Sequence, residues 1–222
     1  MTDFYRDDQT KAAQSVLARL QKIVPEAVIL GGWAVFLYTH GQRSTDVDIA
    51  VDFPSFGRLQ QDFGSLITKN NNLRKYELIL DRVEIDILVV HFSNAGIPIE
   101  ALIEPTRSLS GFRVMSPEGL LAMKLCAWID RTGRPKGDKD EADVLSLLSV
   151  IPMDWGHYRE ILTKAEAKYR KLLPGVIARV VSSAEVRQNW RFMKVNGKAV
   201  VTNREQWKKL KSDLVVKVPK GI

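Results

Sequence analysis

Asp46 and Asp48 are the first residues of this chain whose types and spacing could do chemistry. They lie in residues 44–52 (STDVDIAVD), where Thr45, Val47, Ile49 and Val51 alternate with Asp46, Asp48 and Asp52. That alternation predicts a half-buried strand. Positions two apart on a strand share a face, so the two carboxylates stand together and repel each other. A divalent cation removes that cost. Mg2+, or Mn2+ in its place, suits them because it takes oxygen ligands and shares its shell between carboxylates and substrate phosphates. Asp86, the polar interruption of residues 83–90 (VEIDILVV), would stand beside them and complete a two-metal site for in-line phosphoryl transfer. Asp46, Asp48 and Asp86 are therefore the expected metal ligands. Upstream, Gly31 and Gly32 fall between a short apolar run and a helical stretch, where bare N–H groups can receive a phosphate. Each feature has an ordinary reading, acids on a solvent face and glycines in a turn. Their joint order points to nucleotide chemistry.

A second group lies further along. Lys124 interrupts residues 119–129 (GLLAMKLCAWI), and its helical neighbours Leu120, Leu121, Ala127 and Trp128 are apolar. An ammonium buried there is costly without an anion. Either it snorkels to solvent, or it reaches a triphosphate or the metal-site carboxylates. Arg131, two turns on, could also neutralise phosphate. Asp140 and Asp143 are expected in the first turn of the next helix, where capping and the helix dipole are the ordinary roles. Arg43 is either a phosphate ligand or a surface arginine. His40, His91 and His157 lack ligand spacing and are assigned structural roles. Cys126 reads as a small core residue. Most of the five tryptophans should be core, whereas Trp190 and Trp207, flanked by basic residues, could stack on bases.

The elements that must position these residues follow from periodicity and punctuation. Residues 9–23 carry Ala13, Val16, Leu17, Leu20 and Ile23 at helical spacing. The pattern predicts a short strand over 27–30, a buried helix over 33–38 and a helix over 54–69 ended by three asparagines. Strands over 75–80 and 83–90 should turn at Asp81-Arg82. From Ser116-Pro117-Glu118, a helix-start signature, helices take over. One is expected to Arg131 and another over 139–148 after a loop at 132–138, with three more over 155–172, 175–193 and 203–215. The fold class expected is α+β, with a mixed sheet flanked by helices (residues 1–115) followed by a helical domain (116–222) and an active-site cleft between them.

Composition bounds the rest. The chain has 222 residues, 45% hydrophobic and 27% charged, a balance that fits neither a disordered nor a low-complexity protein. One cysteine leaves no intramolecular disulfide framework or Cys-based zinc cluster and fits a reducing cytoplasm. The acidic, polar residues 1–8 do not resemble a signal peptide, and no apolar run reaches the roughly 18 residues needed to span a bilayer. The net charge of +7 is unevenly divided. Residues 1–153 hold 17 Lys+Arg against 20 Asp+Glu, and residues 154–222 hold 16 against 6. The net of −3 beside +10 suggests a metal-binding part and a part facing polyanions, although lysines and arginines also solvate amphipathic helices.

Gly31-Gly32, thirteen residues and then Asp46-Val47-Asp48 resemble the signature of the DNA polymerase beta-type nucleotidyltransferase superfamily, with Asp86 as its third acidic strand residue. Gly41-Gln42-Arg43-Ser44-Thr45 is similar to the G-x-R-x-T lead-in of its minimal bacterial members. Met115-Ser116-Pro117, Leu120, Lys124-Leu125, Ala127, Arg131 and Lys139-Asp140-x-x-Asp143-Val144 look like AbiEii-type abortive-infection toxin nucleotidyltransferases. The resemblance spans roughly residues 27–148. It implies transfer of a nucleoside monophosphate from an NTP to a hydroxyl, as the toxin of a toxin–antitoxin system. Gly31, Gly32, Arg43, Ser44, Lys124 and Arg131 would hold the nucleotide. Asp86 would join the metal site or deprotonate the acceptor, and Asp140 would face the active site to activate the acceptor or orient the lysine. The basic half would bind RNA, such as a tRNA 3′ end, and a cognate antitoxin is a further expected partner. Two rivals remain: an aminoglycoside-type small-molecule nucleotidyltransferase, which Gly32-Trp33-Ala34 also fits, and a non-catalytic nucleotide- or RNA-binding module.

Overall fold

A computed structural model describes residues 7–219 and 222 of the chain, so most of the acidic N-terminal segment lies outside the described residues. The chain divides into two compact units. The first comprises the chain up to Leu37, Gln42–Asn94 and Pro98–Ser116, and the second Tyr38–Gly41, Ala95–Ile97 and Pro117–Ile222. The fold is α+β.

The first unit is built on a seven-stranded mixed sheet, with a short helix α4 (Ile99–Leu102) ahead of its last two strands. Its strands are β1 (Val28–Leu30), β2 (Val47–Val51), β3 (Thr68–Asn70), β4 (Lys75–Leu80), β5 (Val83–Val89), β6 (Thr106–Leu109) and β7 (Phe112–Met115), in the order β3-β4-β5-β2-β1-β7-β6. Strand β2 runs parallel to β5 and antiparallel to β1, and β1 runs parallel to β7. Period-2 burial explains the centre of this sheet. Val47, Ile49 and Val51 are buried on β2, as are Val83, Ile85, Ile87 and Val89 on β5, whereas Asp48 and Asp86 are only half-buried. Helix α1 (Asp7–Ile23) packs against β5 and buries Ala13, Val16, Leu17 and Leu20. The turn between β4 and β5 has positive φ at both Asp81 (50°) and Arg82 (64°), the twist that joins two strands through a two-residue loop.

Several expectations change here. The strand predicted over 44–52 is five residues long: Ser44, Thr45 and Asp46 precede it, and Asp52 leaves it to cap helix α3 (Phe53–Phe63) by accepting the Ser55 amide at 2.8 Å. Helix α3 ends at Phe63 rather than near residue 69. Thr68–Asn70 instead adds an edge strand to β4, with Asn70 opposite Lys75. Residues 106–115, to which periodicity assigned no element, form β6 and β7.

The second unit is centred on α6 (Pro135–Val150), which packs against α5 (Pro117–Arg131) and α9 (Val176–Arg187). A 3-10 turn (Asn189–Phe192) and α10 (Arg204–Lys217) also contact α6. Helix α6 begins four residues before its expected start, inside the supposed loop. Arg134 is its N-cap and Pro135 occupies the first turn, where proline lacks nothing the helix needs. Gly137 belongs to that turn because a Cβ there would lie 2.2 Å from the Arg131 carbonyl oxygen. Two of the three later helices are also subdivided, whereas the one expected over 203–215 is a single helix. Residues 155–172 break into α7 (Trp155–Thr163) and α8 (Ala167–Leu172), and α9 stops at Gln188, whose φ of 59° is left-handed. A short hairpin, β8 (Lys194–Val195) with β9 (Lys198–Ala199), precedes α10.

Polar groups bind these helices together from inside. Glu141, fully buried on α6, accepts hydrogen bonds from Trp128 Nε1 (3.1 Å) and Asn189 Nδ2 (3.0 Å). Burial raises its pKa, against the opposing effect of hydrogen bonds from Ser183, Asn189 and Trp128. Buried Glu118 of α5 accepts the Asp154 amide at 2.8 Å, next to the start of α7. No helix among the described residues is long and apolar enough to cross a membrane.

Cys126 is buried as expected, and desolvation, then the nearby Asp130 carboxylate, pushes its thiol up to about 12. The reactive species is the thiolate. Iodoacetamide at pH 8 should therefore leave the native protein unlabelled and label it rapidly in 6 M guanidinium. Fast labelling of the native protein would contradict the packing of α5.

Candidate active site

The glycine turn and the two aspartates meet through strand register. Strand β1 pairs Leu30 with Asp48 on β2, and the chain then turns at Gly31, whose φ is +65°, into α2 (Gly31–Thr39). A Cβ on Gly31 would lie 1.8 Å from Asp48 Oδ2. Glycine is thus required twice, for its left-handed backbone and for the space that the carboxylate fills. The Asp48 charge sits at the N-terminus of α2, where the helix dipole favours an anion. Gly31 was expected to serve phosphate, and in this geometry it makes room for Asp48. Gly32 is buried within α2.

Asp46, two residues before Asp48, is half-buried and accepts a hydrogen bond from the buried Ser44 hydroxyl. Ser44, expected at the nucleotide, holds a carboxylate of the acidic pair. Arg43 lies over the Phe36 ring, 5.4 Å from its centroid, a cation–π contact on the α2 face.

Asp86 stands directly beside Asp48, since the parallel pairing of β2 with β5 matches these two residues. On β4, Glu77 is matched to Asp86, so three carboxylates form a row across adjacent strands. Neighbouring strands lie about 4.8 Å apart, close enough for like charges to repel strongly. Lys75 offsets part of that repulsion. Its Nζ lies 2.6 Å from Asp86 Oδ2 and 3.0 Å from Glu77 Oε1. Burial works to lower the Lys75 pKa, but hydrogen bonds to Asp86 and then Glu77 prevail and raise it. Glu77 is held below its usual range by the Asn70 amide and then by Lys75.

Sequence reasoning missed Lys75 and Glu77. The signal was present in the two-residue turn at Asp81-Arg82, because pairing Leu80 with Val83 places Glu77 opposite Asp86.

The second unit assembles Lys124, Arg131, Asp140 and Asp143. Lys124 on α5 is only 7% exposed, and its Nζ donates to Asp140 Oδ1 at 3.1 Å. It also forms an ion pair with Asp143 Oδ2 at 2.7 Å, without hydrogen-bond geometry. Arg131 reaches the other Asp140 oxygen at 3.2 Å. Asp140 and Asp143 are therefore not first-turn caps. With α6 starting at Pro135 they fall in its second and third turns and face α5, while Asp138 occupies the first turn. The lysine does not snorkel. It is buried because two carboxylates meet it.

Donor chemistry and sequence spacing fit one Mg2+ at Asp46, just before β2, and Asp48 on it, two hard oxygen donors. Asp86 is already compensated by Lys75. Among the described residues no group of three or more His, Cys, Asp or Glu side chains is arranged to hold an ion. A cation here would complete its shell with water and phosphate oxygens, as Mg2+ does.

No protein-family model matches this chain, and no curated protein matches it. Solved structures do. The chain is similar to an antigenic nucleotidyltransferase-like protein from Paracoccidioides brasiliensis, with 20% identity over 72% of this chain and 88% of that one, at a TM-score of 0.42. It is similar to the antibiotic-resistance factor ANT(2'')-Ia, with 13% identity over 81% and 96% and a TM-score of 0.47. JHP933 from Helicobacter pylori shares 16% identity over 96% and 92%, with a TM-score of 0.49.

Two substitutions test these charge networks. Lys75→Met leaves Asp86 and Glu77 facing each other. It should cost about 1–2 kcal/mol in urea unfolding at pH 7, the low end for a charged hydrogen bond because Asp86 is partly exposed. The Lys75 contribution is present below the unfolded lysine pKa of 10.5 and lost as pH rises through its higher folded value. The variant's deficit should therefore shrink above pH 11, and a deficit that is constant with pH would refute the pairing. Lys124→Met strands the Asp143 carboxylate, leaves Asp140 with Arg131 alone, and should cost about 3–5 kcal/mol. Adding Asp140→Asn and Asp143→Asn should recover part of that loss.

Proposed function

We propose that this protein is a metal-dependent nucleotidyltransferase that moves a nucleoside monophosphate from an NTP to a hydroxyl acceptor. The acceptor oxygen forms a bond to the α-phosphorus, the bond from that phosphorus to the β-phosphate bridging oxygen breaks, and pyrophosphate leaves. The observation that carries this reading is the acidic row. Asp48 lies on β2 with Asp46 just before that strand, and register sets Asp86 beside Asp48. A row of carboxylates on a central sheet with one lysine between two of them stays electron-rich, and it suits the hard cations that accompany triphosphates.

Each residue has a role in this reading. Asp46 and Asp48 hold Mg2+, which when bound neutralises charge developing on the phosphates. Ser44 orients Asp46, and Gly31 admits the Asp48 carboxylate beside the α2 N-terminus. Asp86 takes the proton from the acceptor hydroxyl when Lys75 releases it, or joins the cation. Lys124 stays in its ion pairs with Asp140, at 3.1 Å, and Asp143, and the exposed Arg131 is the cation of that cluster open to a phosphate.

For the acceptor we read RNA, such as a tRNA 3′ end, and for the biological role a toxin of a toxin–antitoxin system. The support is the 16 Lys+Arg against 6 Asp+Glu in residues 154–222, a density that neutralises phosphates, together with the motif resemblance.

The decisive assay incubates the protein with each α-labelled NTP, total cellular RNA and Mg2+. Labelled RNA is expected with the wild-type protein, and none with EDTA. Asp46→Asn and Asp48→Asn should each reduce transfer by about 100-fold or more, through the loss of several kcal/mol of charge stabilisation. Full transfer by either variant would overturn the mechanism. Label appearing on an added aminoglycoside instead of RNA would reassign the acceptor.

A further inference from the structure

Trp190 and Trp207 were singled out in the sequence, and the nucleotidyl-transfer reading leaves both unused. They line a pocket of about 200 Å³ with Glu185, Gln188, Arg191, Thr202, Asn203 and Arg204, all in the second unit. This volume is below the roughly 300–1,000 Å³ of a drug-sized site, so it suits one small unit rather than an extended ligand.

The pocket wall is built for an anion on one side. Thr202, Asn203 and Arg204 form the N-terminal edge of α10, a helix of 14 residues. Asn203 caps the Gln206 amide at 2.9 Å, and the Gln206 side chain turns back to accept the Thr202 amide at 2.8 Å. The Arg204 and Glu205 amides, earlier in the first turn, have no intrahelical acceptor. Arg191 and Arg204 are both exposed, and among the described residues neither pairs with a carboxylate. The carboxylate on this wall, Glu185, is neutralised by Lys211.

The other side is aromatic. The two indoles stack nearly parallel, with centroids 6.2 Å apart and an interplanar angle of 13°, and the Arg191 guanidinium lies 5.2 Å from the Trp190 ring centroid. Trp207 is only 1% exposed, yet its Nε1–H has no hydrogen-bond partner among the described residues. A buried indole N–H left without an acceptor costs about 1–3 kcal/mol. A ligand acceptor in the pocket would remove that cost.

We propose that this pocket binds one nucleoside monophosphate unit, either as a free nucleotide or as one residue of a single RNA strand. The phosphate lies at the α10 N-terminus between Arg191 and Arg204. The base lies against the indole pair, and an acceptor atom of the unit meets the Trp207 N–H. For the identity of the ligand this rests on the nucleotidyl-transfer reading, but binding here requires neither metal nor catalysis.

Tryptophan fluorescence of the full chain, titrated in EDTA with AMP, adenosine, inorganic phosphate and a single-stranded hexaribonucleotide, tests it. AMP should bind at least tenfold more tightly than adenosine or phosphate alone. The exposed pair Arg191→Ala and Arg204→Ala, made together, should weaken AMP binding at least tenfold with an unchanged melting temperature. Trp207→Phe, which keeps an aromatic side chain and removes the N–H, should weaken it several-fold. Loss of hexanucleotide binding in the arginine double variant identifies the unit as part of a strand. Retained hexanucleotide binding with lost AMP binding identifies a free nucleotide. The Asp46→Asn/Asp48→Asn protein should bind AMP normally whether or not it transfers label, which separates failure of this site from failure of the catalytic reading. Absence of saturable AMP binding at millimolar concentration, or AMP binding untouched by the arginine substitutions, would overturn the proposal.

Discussion

Asp48 and Gly31 occupy one space that only one side chain can fill. Because Gly31 has no Cβ, the carboxylate of a β2 residue can press against the backbone where β1 turns into α2. The contact requires the β1–β2 register that matches Leu30 to Asp48, and β2 in turn carries β5, which sets Asp86 at Asp48's side. Buried Val47, Ile49 and Val51 on the opposite face hold that register, since a slip of one residue would send the acids into the core. The first unit's chemistry thus depends on a steric vacancy as much as on charge.

The two charged clusters are balanced differently. In the first unit, Lys75 touches Asp86 and Glu77, with Asp48 next in the same row. On the helices, Asp140 and Asp143 are matched by Lys124 and Arg131. A neutral, largely buried cluster is a structural lock whose members cannot be removed singly without stranding a charge. A half-exposed row of acids on adjacent strands retains attraction for a cation. Electrostatics therefore assigns the two clusters different roles, although both arise from carboxylates spaced two or three residues apart.

The parts legible in the sequence were those whose signal is local. Period-2 alternation around Asp48 and Asp86, the Asp81-Arg82 turn, the glycine pair and the Ser116-Pro117-Glu118 start all act within a few residues. Strands β6 and β7 escaped because each is four residues long, β6 has three consecutive polar residues, and β7 is stabilised by β1, far upstream. Strand β3 has three polar residues and exists only as the edge partner of β4. The early start of α6 was hidden by a glycine that reads as loop and is required by the Arg131 carbonyl. That shift of four residues moved Asp140 and Asp143 from a capping turn to the face opposite Lys124.

From order and type alone came the acidic residues, the glycine that precedes them, the apolar helix interrupted by one lysine, and the division of charge between −3 and +10. These are properties of residues and their near neighbours. Which charge meets which was settled by folding: Lys75 with Asp86, Lys124 with Asp140 and Asp143, and Trp190 stacked on Trp207 over a pocket. An ion pair or a cavity depends on distances between elements, set by strand register and helix packing, and no periodicity within a single element encodes them.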